Sequence, residues 1–441
     1  MKVRFFTSVF IFLLFFFVTN HRRLDNSLFS SGYAVCWSLM LISNLGFSGN
    51  IQHITRILCL IIAWLYIVFK NKTSIKYKRK TRIGQIILIY ILFCLISTMW
   101  SVSKLQTIVK TIELFTDLIL IWLFFSKNSY EENVYRLLET TITVFGILLF
   151  VTVLGFFVWP DRFSNNGIMA SRSLLGKRLG EGILGANKTS ALAAIYISWF
   201  LLLKQKRNIY DYFFAIISII AMFYSQSRAS LALIPVILFF KFFKPKDKYK
   251  GLYFVVSIII FYFVSSHIDV IYKYLLRGQT EELLLSGTGR LDVWRASIPY
   301  IAKRPIIGYG FGSGGEIVSK NLFGLATMHS GIFETLLGTG AIGLLLLLFQ
   351  YGIALFKVIN NIAKYGVKNN LFDGFVLLIY LIRTLTSLGI GNWHSPELML
   401  WYCFLFSLEK RKSVQMIFDA LERTANGKRY KQAKKNSYIY S

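Results

Sequence analysis

The sequence predicts an all-α integral membrane protein: a polytopic helical bundle of about twelve transmembrane helices, with one large loop between the late helices. Three observations predict it. Of the 441 residues, 55% are hydrophobic and only 16% are charged, against roughly 25% charged in a soluble domain. The apolar excess falls in blocks of membrane-spanning length. Lys and Arg collect in short loops that alternate along the chain, the pattern of segments retained on the cytoplasmic side. This composition excludes a soluble globular enzyme and a disordered chain.

The elements follow in order. Apolar blocks run at 5–19, 55–70, 83–101, 107–126, 137–158, 188–204, 210–225, 229–243, 251–266, 329–356, 371–390 and 395–408. The first follows MKVR and resembles a signal peptide. No small-x-small cleavage site comes after it, so it reads as a retained anchor. The segment 31–48 is broken by Ser, Asn and Gly and reads as either a further span or a re-entrant piece. The block 329–356 is too long for one span and is expected to begin with a broken half-helix. The chain thus divides into helices over 1–266, with an outer loop at 159–187; a large outer loop at 267–328 holding a short helix; C-terminal helices over 329–408; and a basic tail at 409–441.

Charge sets the orientation. Residues 70–82 hold seven Lys/Arg and no acid, 241–250 hold five Lys, and the tail holds nine basic residues. The positive-inside rule places 70–82, 204–210, 241–250, 357–370 and the tail in the cytoplasm. There they meet anionic membrane lipids, which accounts for most of the formal net charge of +29. No nucleic-acid module accompanies the charge, so nucleic acid is not an expected partner. Cys36, Cys59, Cys94 and Cys403 each sit in an apolar block without a CxxC pair, and read as small buried hydrophobes.

Two outer loops break the charge rule. The first carries Arg162, Arg172, Lys177 and Arg178 against Asp161 and Glu181. The second carries Arg277, Arg290, Arg295, Lys303, Arg304 and Lys320. Basic residues on a translocated loop oppose the topology, so they imply an anionic ligand there. A lipid-linked pyrophosphate fits, because a guanidinium matches phosphate oxygens as a bidentate fork. Arg228 stands in YSQSRAS between two apolar helices, where an ionisable side chain points to function.

Within the long loop, LDVWRASIPYIAKR has helical spacing, with Leu291, Trp294, Ile298 and Ile301 on one face. Ser286 or Thr288 is placed to cap it, which puts Arg290 near a helix N-terminus, where anions are favoured. Gly308, Gly310, Gly312, Gly314 and Gly315 then predict a flexible turn. It lacks the GK[ST] of a P-loop, so nucleotide binding is rejected. His329 lies where the chain re-enters the membrane, and its near-neutral pKa suits a general base. Glu181, Glu281, Glu282 and His394 are the other candidate bases. Glu113, Asp117, Glu334 and Arg383 are the charges inside spans. They keep a transporter or flippase as a competing class, although no internal repeat supports one.

The run GRLDVWRASIPYIAKRPIIGYGFG, followed by HSGIFETLLGTGAIGLLLL, resembles the signature of the bacterial O-antigen ligase and polysaccharide polymerase superfamily. Met99-Trp100-Ser101, Arg178 with Ala186-Asn187, and Ser227-Arg228 resemble its further motifs in order, so the likeness covers about 99–343. Two positions depart: Ser330 stands where the family has Asn, and Ala229 where it has Gly. The first bears on a side-chain contact to the acceptor sugar. The resemblance implies a C-type glycosyltransferase-like fold in the bacterial cytoplasmic membrane with its active site facing the periplasm. It implies a metal-independent, inverting transfer without cofactor from an undecaprenyl-pyrophosphate-linked glycan, with a chain-length regulator as a further partner. Arg228 and Arg290 match pyrophosphate-binding positions, Arg178 a further phosphate contact, and His329 the base. The implied reaction is polymerisation of repeat units, or alternatively ligation of the glycan to lipid A core.

Overall fold

The computed structural model describes residues 61, 82–126, 130–165, 178–180, 185–204, 207–231, 233–242, 251, 255, 289–324, 327–391 and 395–408. The expected anchor at 5–19, the segment 31–48, the tail, and all but isolated residues of the spans at 55–70 and 251–266 lie outside them.

Helix α1 (Arg82–Ile96) continues through a 3-10 turn, Ser97–Trp100, as one apolar stretch of 19 residues. Its Ile87, Tyr90 and Cys94 are buried while Ile89, Leu92 and Leu95 are exposed, so one stripe faces the bundle and the other is apolar outward, as lipid requires. Helix α2 (Lys104–Ser126) begins three residues before the apolar block at 107–126. Its Thr107, Lys110, Thr111, Glu113 and Asp117 are all buried. They lie on one side of the helix, which faces protein; Leu114, Leu118 and Ile121 are buried as well, while Leu105 and Ile112 are exposed. Helix α3 (Tyr130–Val158) follows, then the single turn α4 (Pro160–Phe163). A two-stranded antiparallel ribbon pairs β1 (Ser164–Asn165) with β2 (Arg178–Leu179).

Helix α5 (Ala186–Ser198) runs into a π-turn, Trp199–Leu203. Helix α6 (Ile209–Ser225) starts at a capping box in which Asn208 and Asp211 exchange side-chain and backbone bonds. Lys204 bridges Glu139 at 3.3 Å and Asp211 at 2.7 Å at this end of the bundle. Helices α7 (Arg228–Leu231) and α8 (Leu233–Phe242) come next. In the large loop lie α9 (Arg290–Lys303) and α10 (Glu316–Phe323). Helix α11 (Gly331–Tyr365) then returns to the bundle, followed by α12 (Leu371–Thr386) and α13 (Pro396–Leu408).

Among the described residues, four stretches are long and apolar enough to cross a membrane: Arg82–Trp100, Thr141–Val158, Ala186–Leu203 and Gly331–Tyr365; Ile209–Ser225 and Pro396–Leu408 are shorter apolar helices. The chain is therefore a helical membrane bundle, and the expected count of about twelve helices extends over segments outside the described residues. Helix α13 is buried along its whole length and packs on α1, α2, α3 and α11, which makes it the centre of the bundle. The broken half-helix expected at 329–356 is present. Gly340 adopts φ 65° and ψ −163° inside α11, a conformation that favours glycine.

Candidate active site

The glycine-rich turn organises the end of the bundle opposite Lys204. It was expected to be flexible, yet Gly308, Gly310, Gly312, Gly314 and Gly315 are all buried. The break at Gly340 is the reason. A broken helix leaves backbone groups without partners, and buried ones must be satisfied. The turn satisfies them: Tyr309 N donates to Leu337 O at 2.8 Å and Gly310 N to Gly338 O at 2.7 Å, while Ala341 N donates to Pro305 O at 2.8 Å. A Cβ on Gly308 would lie 2.7 Å from the Gly338 backbone, and one on Gly340 would lie 2.3 Å from Ile306. These glycines permit backbone to lie on backbone.

The same turn docks on the α1–α2 corner. Trp100 Nε1 donates to Ile307 O at 3.0 Å and Val102 N to Tyr309 O at 3.0 Å. Lys110 stands 3.6 Å from Glu316 and donates to Gly312 O. The large loop is thereby fixed to both α2 and α11.

Helix α9 follows the turn onto α11. Its N-cap is Gly289, in the left-handed region at φ 78°; the expected caps, Ser286 and Thr288, lie outside the described residues. Arg290 is the first helical residue, as the spacing predicted. Of the expected face, Trp294 and Ile301 pack partly buried against the small core cluster, and the departure is at Ile298. Val293 and Ser297 are buried, whereas Ile298 is 57% exposed. A small residue at 297 allows close approach, and its hydroxyl donates within the helix to Trp294 O at 2.6 Å. Trp294 stacks on Phe333 at 5.3 Å and donates from Nε1 to Met328 O at 2.9 Å.

The arginines converge from separate elements. Arg178 on β2 donates from Nε to Ser225 O at 2.6 Å and from Nη2 to Asn187 Oδ1 at 3.1 Å. Ser225 ends α6, and Arg228 opens α7 three residues later. Arg290 donates from Nη1 to Thr386 O, at the end of α12, at 2.8 Å. Burial first, then Arg178 and Arg290, holds the Arg228 guanidinium below its ordinary pKa. Burial, then Arg383 and Arg178, does the same to Arg290. Like charges drawn together under partial burial favour an anion between them. His329 joins this group. Burial and the nearby Arg290 lower its pKa below the ordinary histidine value, which keeps the imidazole neutral near pH 7. Its backbone sits at φ 53°, a left-handed conformation costing about 1–3 kcal/mol that persists only where its surroundings impose it.

All four residues singled out from the sequence thus lie at one end of the bundle, coupled through Arg290. The Ser330 that replaces the family's Asn is buried at the N-cap of α11 and makes no capping bond with its side chain. The other candidate bases, Glu181, Glu281, Glu282 and His394, lie outside the described residues.

Residues 213–348 match the family model described as O-Antigen ligase. The match covers less than a third of the chain and marks that segment as similar to O-antigen ligases. The segment contains Arg228, Arg290, the glycine-rich turn and His329, whereas Arg178 and its partner Asn187 precede it. The match supports the O-antigen ligase and polymerase superfamily that the motifs resembled, and with it a glycosyltransferase-like enzyme of ligase or polymerase type. No curated protein matches the chain.

Two features involve span charges whose partners the sequence did not reveal. Arg383 on α12 pairs with Glu397 on α13, with Nη2 at 2.8 Å and Nε at 3.0 Å from Oε1, and both side chains are buried. A buried Arg and a buried Glu in adjacent apolar helices are a signal in themselves, since each alone would be costly. The second feature is Glu334, which accepts a hydrogen bond from Met328 N.

Proposed function

We propose that the protein polymerises undecaprenyl-pyrophosphate-linked polysaccharide repeat units on the outer face of the bacterial cytoplasmic membrane. The observation that carries this reading is the convergence of Arg178, Arg228 and Arg290 beside a neutral His329. Three guanidiniums at one membrane-helix end suit a pyrophosphate, whose oxygens they bind as forks.

The chemistry follows. His329 takes the proton from the acceptor hydroxyl as that oxygen attacks the anomeric carbon of the donor sugar. The bond from that carbon to the pyrophosphate oxygen breaks on the opposite face, so configuration inverts. The leaving pyrophosphate gains negative charge, and Arg228, Arg290 and Arg178 stabilise it as it develops. In this scheme the cations do what a metal does in other glycosyl transfers. Glu181, Glu281, Glu282 and His394 are the alternative bases.

Ligation of the glycan to lipid A core is the second reading, favoured by the description of the matched family model. Incubating the purified protein with a defined lipid-linked repeat separates the two. A ladder of products is expected for the polymerase. A single addition, seen only when core lipid is supplied, identifies the ligase, and no transfer in either case overturns both.

A further inference from the structure

We propose that Glu334 and Trp294 are positioning residues that clamp the Met328 peptide from both sides and so hold His329 in register with Arg290. This rests on the reading of His329 as the base.

The clamp is visible atom by atom. The Met328 N–H donates to Glu334 Oε2 at 3.1 Å, and the Met328 carbonyl accepts from Trp294 Nε1 at 2.9 Å. The Met328 side chain is fully buried, packed with Val293 of α9, Val318 of α10 and Leu337 of α11. Every part of the residue before His329 is therefore fixed, by three different helices. That explains how His329 keeps a left-handed backbone without being a glycine.

The two clamping groups also belong to the elements that must stay aligned. Trp294 lies one turn after Arg290 on α9, so the contact that fixes Met328 also fixes the helix bearing the arginine. Glu334 lies in the first turn of α11, where a carboxylate is favoured by the free N–H groups of the helix start. Gly315 closes over it: a Cβ there would lie 2.4 Å from the carboxylate. The absence of a side chain at Gly315 makes room for the Glu334 carboxylate. Arg290 of α9 faces His329, and Lys110 of α2 and Glu316 of α10 face Glu334.

The test uses full-length protein in lipid nanodiscs with a defined lipid-linked repeat, comparing wild type with Glu334→Ala, Glu334→Gln, Trp294→Phe and His329→Ala. Glu334→Ala should lower kcat about 10- to 100-fold, the effect of leaving the buried Met328 N–H without its acceptor. The donor KM should stay within about threefold, because the arginines remain. The acid limb of the pH–rate profile should move up, as a loosened imidazole regains water and its ordinary pKa. Glu334→Gln keeps an acceptor oxygen and should recover most of the rate. Trp294→Phe keeps the ring but not the N–H, and should reproduce the upward shift in milder form, so the proposal stays testable even if Glu334→Ala does not fold. An unmoved acid limb in both Glu334→Ala and Trp294→Phe, with His329→Ala inactive, overturns the clamp. A wild-type rate in His329→Ala instead overturns the assignment of the base.

Discussion

Replacing Arg290 with alanine tests the site at its most connected point. Its Nη1 is held by Thr386 O at 2.8 Å, which leaves the rest of the guanidinium fork for a ligand. A contact between a fixed cation and phosphate contributes about 1.5–3 kcal/mol, so its loss in the transition state should reduce kcat/KM about 10- to 100-fold. A lysine should restore only part of this, since one ammonium cannot both hold the Thr386 carbonyl and grip phosphate bidentately. A second readout comes from His329. Arg290 contributes to holding its pKa down, and only the neutral imidazole can act as a base. Activity therefore falls as pH drops through that lowered pKa. Removing Arg290 lets the pKa climb back toward the ordinary value near 6.5, so the acid limb should shift to higher pH. The assay is the initial rate of glycan transfer across pH 5–8 in nanodiscs, with thermal unfolding as a control for folding. An Arg290→Ala enzyme within about twofold of wild type, with its acid limb in place, would refute the assignment.

Other predictions follow from the same geometry. Arg228→Ala should lower transfer about 10- to 100-fold while membrane insertion, followed by immunoblot of isolated membranes, is unchanged. His329→Ala should reduce transfer by about 10²–10⁴-fold yet still retain donor in a lipid-binding assay. Gly308→Ala forces a Cβ to within 2.7 Å of the Gly338 backbone at φ 63° and should cost about 1–3 kcal/mol of stability, measured as a lowered melting temperature in detergent. Arg383→Met leaves Glu397 buried and unpaired, which should cost about 3–5 kcal/mol, and the double variant with Glu397→Leu should recover much of it; a double variant as unstable as the single would argue against the pair.

The sequence exposed most of what matters at the site, because the relevant residues violate a rule. Arg178, Arg228 and Arg290 stand where the topology expected from the sequence disfavours basic residues, and each was identifiable on that ground. The break in α11 was legible because a 28-residue apolar block does not fit one span. The role of the glycines was not legible. A run of glycines reads as freedom until the opposite backbone is known, and here that backbone is Leu337–Gly340, more than 20 residues away. On α9 the expected face holds at Trp294 and Ile301 but not at Ile298: periodicity locates the larger apolar residues, but Ser297 is buried because it is small enough for close packing. The Arg383–Glu397 pair needed three dimensions, because nothing in either apolar block says which neighbouring helix supplies the counter-charge.

The break at Gly340 also acts as a ruler. A straight helix of the 35 residues of α11 would rise about 52 Å, while a bilayer's hydrocarbon core is about 30 Å thick. The stretch from Gly331 to the break, about 14 Å of rise, takes up roughly two-thirds of the surplus of about 22 Å. The position of the imidazole relative to the break is thus set by the number of residues in one half-helix, pinned at its base by Pro305–Gly310. One residue inserted between Gly331 and Gly340 would lift His329 by about 1.5 Å and turn it by about 100°, out of reach of arginines anchored to other helices. With His329 as the proposed base, the length of that half-helix becomes part of the chemistry.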